Sequence, residues 1–190
     1  MFKSIINKFI DNWYICTYIL DCSEVIWLDI KKLITKIKTS NDCIVYAPCG
    51  IPSTGQEHIL PDDLKEFYNI CGGITFYSGS DNVLTIVPPS EFKLANPIIV
   101  GELCEDDISS NWYIIGKYGS DYITIDLDKN RLGKCYDSFW DRHGIPGECM
   151  IIATSFTDLI ERLISSDGKL WYWLRDDFIS LGDAYDEIEI

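Results

Sequence analysis

The chain has 190 residues, of which 47% are hydrophobic and 24% charged, and this composition excludes an intrinsically disordered polypeptide. Its net charge of −14 opposes binding to nucleic acid, because affinity for phosphate backbones depends mainly on Lys and Arg. Residues 1–40 contain six Lys and four acidic residues, a net of +2, so residues 41–190 carry −16. We therefore expect one folded domain whose acidic surface attracts basic partners.

The first 24 residues are predicted to be an N-terminal extension of this domain. We do not expect a signal peptide here, because Lys8 and Asp11 interrupt the apolar positions and the clean stretch from Trp13 to Leu20 has only eight residues. No segment approaches the ~20 uninterrupted apolar residues that cross a bilayer. We expect a cytoplasmic protein without a membrane partner.

Eight cysteines are present, and without an export signal they indicate free, mostly buried thiols rather than a disulfide framework. The closest pairs are Cys16 with Cys22 and Cys43 with Cys49, each six residues apart. Zinc knuckles favour Cys-x2–4-Cys, a tighter spacing. No metal and no cofactor is predicted.

Two helices are predicted in the first half of the chain. Residues 24–39 place apolar side chains three and four apart with lysines between them, a pattern typical of an amphipathic helix. Residues 41–56 form a loop with one short candidate strand, CIVYA. In the second helix, residues 60–70, Pro61 fixes φ in the first turn, and Gly72 and Gly73 end the helix through a left-handed cap.

The second half of the chain predicts strands and then a helix. Short β-branched and aromatic runs, separated by turn residues, cover 74–77, 82–87, 97–101, 112–119, 121–128, 133–140 and 149–155. Residues 126–133 are predicted to be a hairpin turn. Residues 155–164 carry an apolar stripe, with Ser155 or Thr157 as the N-cap. This order predicts an α+β fold in which helices pack on one antiparallel or mixed twisted sheet.

Residues 166–190 form a Trp-rich, acidic C-terminal extension. Its aromatic residues are too apolar to remain in water, so we expect them to dock on the domain while the carboxylates face outward.

Three segments in this order resemble the SMI1/KNR4 (SUKH) family over roughly residues 25–165: LPDDLKEFYNICGG, IIGKYGSDYITIDLDKNRLGKCYDSFWD and IIATSFTDLIERLI. The matching positions are Leu60, Pro61, Gly72, Gly73, Ile115, Gly116, Gly119, Asp121, Asp126, Gly133, Tyr136, Ser155, Phe156 and Leu159. The chain departs from the family pattern in its Gly119-Ser120-Asp121 turn, where Gly-Asp is commoner, and in both terminal extensions.

The resemblance implies a non-catalytic module that binds proteins. Bacterial members often act as immunity or antitoxin proteins against a secreted toxin, frequently a nuclease, and a basic toxin would suit the acidic surface. Eukaryotic members act as regulatory scaffolds, so a regulatory protein with an endogenous partner is the alternative function.

Catalysis and calcium binding are the other hypotheses. The chain has two histidines, His58 and His143, and lacks a Gly-x-Ser-x-Gly elbow, so no coherent hydrolase site is predicted. The spacing Asp126-x-Asp128-x-Asn130 mimics the start of a calcium loop, but Gly133 stands two positions after the glycine that such a loop requires. Asp121 is interpreted as structural, accepting backbone N–H bonds at a sheet edge.

Partner binding is assigned to two acidic stretches and the aromatic residues beside them, because interfaces favour Trp and Tyr. The alternatives are a merely solvated surface for the acids and a core position for the aromatic residues. The candidates are Glu102, Glu105, Asp106, Asp107, Trp171, Trp173, Asp176, Asp177, Asp183, Tyr185 and Asp186.

Overall fold

Seven short strands form one antiparallel sheet, in which neighbours in the chain are also neighbours in the sheet. The computed structural model describes residues 22–166, 168, 170–186 and 188, with side chains from Ile30 onward. The strands are β1 (Cys43–Val45), β2 (Ile74–Phe76), β3 (Leu84–Ile86), β4 (Trp112–Tyr118), β5 (Asp121–Asp126), β6 (Cys135–Ser138) and β7 (Ile151–Ala153). Of the two predicted arrangements, the sheet adopts the antiparallel one.

Four α-helices accompany the sheet in the described part of the chain: α1 (Cys22–Lys38), α2 (Asp62–Ile70), α3 (Asn96–Ile99) and α4 (Phe156–Ser165). Short 3-10 helices occur at Pro89–Glu91, Ile108–Asn111 and Tyr172–Leu174. Helices α1, α2 and α4 pack against one another, α1 also against β1 and α4 against β7. The predicted α+β fold is confirmed.

The start of α4 explains how two helices are held together. Of the two candidate caps, Ser155 is the N-cap, and its hydroxyl accepts a hydrogen bond from the Asp158 amide. The Thr157 amide and hydroxyl both donate to Asp63 Oδ2, at 2.8 and 2.9 Å. Asp63 is buried in α2, so one carboxylate joins α2 to the first turn of α4.

The predicted strand at 97–101 is wrong, because residues Asn96–Ile99 form helix α3. Pro97 cannot donate to a strand ladder, but its fixed φ suits the first turn of a helix. The β-branched residues that suggested a strand are Ile98, Ile99 and Val100, and only Ile99 packs against the core.

The end of α2 also differs from its prediction. Cys71 ends the helix in an extended conformation, with φ −151°, so no left-handed glycine cap follows directly. The glycines serve close backbone approach instead: a Cβ on Gly72 would lie 2.3 Å from the Ala47 carbonyl oxygen, and one on Gly73 would lie 2.7 Å from that of Ile86. At the other end, Pro61 is the N-cap rather than a first-turn residue.

The two faces of the sheet have different covers. Alternation along β6 places Cys135 on one face and Tyr136 on the other. Burial raises the pKa of the Cys135 thiol, and the carboxylates of Asp63 on α2 and Asp158 on α4 act in the same direction, which agrees with helices on the Cys135 face. On the opposite face the Tyr136 ring packs on Trp112, with ring centroids 4.3 Å apart, and loops cover that pair.

The C-terminal segment lies along the β7 edge of the sheet. The Ile151 amide donates to the Gly182 carbonyl at 3.0 Å, and the Ala184 amide donates to the Cys149 carbonyl at 2.9 Å. The Tyr172 hydroxyl donates to the Ile152 carbonyl at 2.7 Å. The segment therefore pairs backbone groups that an edge strand otherwise exposes.

The division into residues 1–24, 25–165 and 166–190 stays a prediction. Residues 1–21 of the N-terminal extension lie outside the described residues, and the boundary at residue 24 falls within α1. No helix in the described ranges is long and apolar enough to span a membrane.

Candidate functional site

The eleven predicted binding residues fall into two groups. One group gathers where three loops meet: residues 96–107, residues 141–149 and residues 182–186. We call this surface the acidic corner; it contains Glu102, Glu105, Asp106, Asp107, Asp183, Tyr185 and Asp186. The other group, with Trp171, Trp173, Asp176 and Asp177, belongs to residues 171–178, which we call the aromatic tail segment.

Buried polar contacts join the three loops of the acidic corner. The Asn96 amide nitrogen donates to the Leu103 carbonyl and to Ser109 Oγ, both at 3.0 Å. Its oxygen, Oδ1, lies 2.7 Å from His143 Nε2. Because both Asn96 donors are used, Oδ1 is the acceptor and His143 carries its proton on Nε2. One asparagine thereby links the first two loops.

The histidine in this link stays neutral at physiological pH. His143 is 6% exposed, and its ring meets Trp112 edge-on with centroids 5.4 Å apart. Burial lowers the pKa of His143 to about 4, although the nearby Asp107 carboxylate acts in the opposite direction. Among the described residues, no hydrogen-bond partner reaches His143 Nδ1, so a proton added there would form a buried N–H group without an acceptor.

Two predicted binding residues link the tail to the first loop. The Tyr185 hydroxyl donates to Asp107 Oδ1 at 2.8 Å, and the same oxygen accepts from the Ser109 amide at 2.8 Å. Asp107 thereby caps the 3-10 helix that precedes β4. Burial raises the pKa of Tyr185 above its ordinary value, as does its hydrogen bond to Asp107, so the hydroxyl remains a donor. Both side chains position the loops.

Asp183 and Asp186 hold the tail in its turn. Asp183 Oδ1 accepts from the Gly147 amide at 3.1 Å and from the Tyr185 amide at 3.0 Å. Asp186 Oδ2 accepts from the Asp183 amide at 2.7 Å. Asp186 nevertheless remains exposed, so it keeps carboxylate surface available at the corner.

The remaining acids of the corner face solvent. Glu102, Glu105 and Asp106 are exposed, and they form no ion pair with any lysine or arginine that the structure describes. Between Lys93 and Lys117 the sequence contains no basic residue. The negative potential of this loop is therefore not neutralised from within its own segment.

The aromatic tail segment is built differently. Trp173 is 2% exposed, and Trp171 is half-buried and stacks on it with ring centroids 6.0 Å apart. The Trp171 ring also lies 4.2 Å from that of Tyr118. Trp173 and Tyr185 are both buried in the core, the position given above as the alternative for the aromatic residues. Partner contact through either residue stays a prediction. Asp176 and Asp177 are exposed, and Asp177 pairs with Arg175.

Sequence reasoning missed several residues of the corner. Asp141 and Glu148 are exposed on the second loop, as is Ile145. Ile98, Val100 and Leu103 are exposed on the first loop. The two acids could have been found from their charge. The apolar residues could not, because they lay in stretches that predicted a strand or a turn. The positioning residues Asn96 and His143 gave no signal, because their contact spans 47 residues of sequence.

The candidate catalytic and calcium residues have structural partners. His58 contacts the Tyr113 hydroxyl at 2.9 Å and Asn111 Oδ1 at 2.8 Å. Residues 22–166, 168, 170–186 and 188 contain no group of three or more His, Cys, Asp or Glu side chains that could hold a metal ion. The Trp140 amide donates to Asp121 at 3.4 Å, as expected for a structural carboxylate.

Asp126 shows why the calcium-like spacing is a hairpin turn. Its Oδ2 accepts from Trp112 Nε1, Arg131 Nε and the Tyr136 hydroxyl, and its Oδ1 accepts from the Asp128 amide. Burial raises the pKa of Asp126, while the Asp128 amide and the Arg131 guanidinium oppose that shift. The carboxylate is therefore occupied by protein donors, and β5 and β6 pair directly across the turn.

Comparison with known proteins identifies the class. Residues 57–162 match the model of the SMI1 / KNR4 family (SUKH-1), and the chain belongs to this family. It is also 58% identical to Immunity protein YokJ of Bacillus subtilis (strain 168) over 164 residues, which are 86% of this chain and 99% of that protein. A search of solved structures found no significant match. The predicted resemblance to immunity-type members is confirmed.

Proposed function

We propose that this chain is a cytoplasmic immunity protein that neutralises a protein toxin by binding it directly at the acidic corner, without catalysis. The observation that carries the proposal is the set of exposed carboxylates, Glu102, Glu105 and Asp106, without an ion pair in the described structure. They stand on the loop of residues 96–107, which hydrogen bonds of the buried Asn96 hold in place. The relative named as an immunity protein supports the same role.

The charge of the corner indicates the chemistry of the toxin. A toxin that attacks nucleic acid needs Lys and Arg to bind phosphates, and such a surface is complementary to unpaired carboxylates. Complementary charge accelerates encounter and fixes orientation more than it raises affinity. A basic toxin domain, with a nuclease as the leading example, is therefore the proposed partner.

The loops of the corner also favour binding energetically. Association costs free energy whenever a mobile loop must be ordered. Here Asn96, His143, Asp107 and Tyr185 already connect the loops in the free protein. The loops that carry the carboxylates therefore need little further ordering when a partner binds.

Co-expression tests the proposal. A toxin domain encoded beside the gene for this chain is produced in cells with the wild type or with the triple variant Glu102→Lys, Glu105→Lys, Asp106→Lys. We expect the wild type to restore growth and the variant to lose at least 10-fold in protection, because charge reversal repels a basic surface.

A matched control distinguishes the effect of where the charges are reversed from the effect of the change in net charge. Asp42, Glu57 and Asp81 are exposed and lie outside the corner, so the variant Asp42→Lys, Glu57→Lys, Asp81→Lys changes the net charge equally. It should protect as the wild type does. A wild type that fails to protect would refute the immunity function for that pair, and equal loss in both variants would refute the corner as the contact surface.

A further inference from the structure

Four exposed apolar side chains belong to the two loops that carry carboxylates of the acidic corner. Ile98, Val100, Leu103 and Ile145 are 45%, 48%, 48% and 46% exposed. The first three belong to the loop that carries Glu102, Glu105 and Asp106, and Ile145 belongs to the loop that carries Asp141 and Glu148. The contact between Asn96 and His143 holds these two loops together.

This arrangement differs from that of other exposed apolar residues in the described structure. Residues 44–59 also carry four exposed apolar side chains, Ile44, Tyr46, Ile51 and Ile59, but this segment contains one acid, Glu57. Ile179 is 83% exposed and stands outside the corner. Single exposed apolar residues need no explanation. Several such residues on adjoining, rigid loops with an acidic rim have the composition of an interface centre, where apolar groups are enclosed by polar ones.

The exposure of the first three residues follows from the local backbone. Helix α3 has four residues, Asn96–Ile99, and a single turn presents only one side to the core. Asn96 occupies that side with its buried amide, and Ile99 packs beside it. Ile98 and Val100 consequently face solvent. The backbone at Leu103 is fixed by the hydrogen bond that the Asn96 amide nitrogen donates to the Leu103 carbonyl.

We propose that Ile98, Val100, Leu103 and Ile145 form the apolar centre of the toxin contact, and that the toxin inserts an apolar side chain flanked by Lys or Arg. This inference rests on the proposed function and adds the chemistry of the partner surface. Charge complementarity selects this occupant. The first loop has acids and, between Lys93 and Lys117, no basic residue, and Arg142 on the second loop is paired with Asp137 and Asp141. A second copy of the chain would bring like charges together, which disfavours self-association.

The test uses a purified, catalytically inactivated toxin domain encoded beside the gene, and measures association and dissociation rates with the full chain. The apolar variant is Leu103→Ser, Ile145→Ser, which leaves the net charge unchanged. We expect its Kd to rise about 100-fold through faster dissociation, with an unchanged dependence on salt, as for loss of a central hot spot.

Two further variants test whether the acids act on association and whether the position of the apolar residues matters. The variant Glu105→Gln, Asp106→Asn should slow association and weaken the dependence on salt, with little change in dissociation. The matched control Ile59→Ser, Ile179→Ser removes exposed apolar residues outside the corner and should bind as the wild type does. Thermal unfolding of every variant within a few degrees of the wild type excludes misfolding as the cause.

The outcomes separate the two proposals. A toxin that does not bind the wild type refutes the proposed function, and this inference with it. A toxin that binds the wild type and the Leu103→Ser, Ile145→Ser variant with Kd values within about 3-fold refutes only the apolar centre. Sedimentation that shows wild-type dimers, abolished by the same two substitutions, identifies a second copy as the occupant and also overturns the inference.

Discussion

The acidic corner and the aromatic tail segment carry similar sequence signals, acids beside aromatic or apolar residues, but the fold uses them in opposite ways. In the corner, polar side chains such as Asn96 and His143 are buried, and the carboxylates of Glu102, Glu105 and Asp106 face solvent. In the tail segment, Trp173 is buried and the neighbouring acids lie outside a packed aromatic cluster. Composition therefore finds both regions, and burial decides which of their side chains remain exposed.

Removal of the tail gives the largest expected effect. Deletion of residues 167–190 exposes the β7 edge and the surfaces under Tyr172, Trp173 and Tyr185, each a buried aromatic residue worth about 2 kcal/mol. The summed loss is comparable to the stability of a whole domain. We expect the deleted chain to show no cooperative thermal transition and to aggregate. Unchanged thermal unfolding would refute a stabilising role for the tail.

The next effect comes from one ring within the tail segment. Trp173→Ala should lower the free energy of unfolding by about 3–5 kcal/mol, because a large cavity remains in the core. Chemical denaturation measures the change. Leu174→Ala is the control, since Leu174 is its neighbour and is 42% exposed; it should cost less than about 1 kcal/mol. Similar losses in both would show that Trp173 is not a core residue.

A pH-dependent effect of intermediate size is expected at the corner. The pKa of His143 is about 4 in the folded protein against 6.5 for the unperturbed side chain. Between these values the unfolded chain binds a proton that the folded chain does not, so acidification from pH 6.5 to 4 lowers the free energy of unfolding. The upper bound is about 3 kcal/mol.

A His143→Gln variant isolates this contribution. Other groups, such as Asp137, whose pKa is raised by burial, titrate in both proteins and cancel in the difference. The stability gap between wild type and variant should narrow as the pH falls from 6.5 to 4, and urea unfolding at several pH values measures it. A gap that does not change with pH would contradict the burial of a neutral His143.

The smallest expected effects on stability compare Asp107, an acid that is hydrogen-bonded within the fold, with Asp176 and Asp177, which are exposed to solvent. Tyr185→Phe removes the hydroxyl that donates to Asp107 and should cost about 1.5 kcal/mol, as for other hydrogen bonds to charged groups. Asp176→Asn with Asp177→Asn should change stability by less than about 0.5 kcal/mol, because both residues are exposed. Equal losses in the free energy of unfolding would show that the bond between Tyr185 and Asp107 contributes no more to stability than the exposed acids do.

Local patterns predicted most of the elements. The stripe of α4 and its Ser155 cap, the β4, β5 and β6 runs and the hairpin turn at Asp126 all depend on residues close together in sequence. The prediction failed at residues 97–101, where Pro97 and the burial of Asn96 override the strand propensity of Ile98 and Val100.

The sequence by itself determined the α+β class, the family resemblance and the negative charge of residues 41–190, because periodicity, turn residues and charge are local or additive properties. Only the tertiary structure decided that Asp107 meets Tyr185 across 78 residues and that Asn96 meets His143 across 47. Contacts between residues so distant in the chain form only when the sheet brings their loops together. That assembly separated the exposed carboxylates of the acidic corner from the buried rings of the tail.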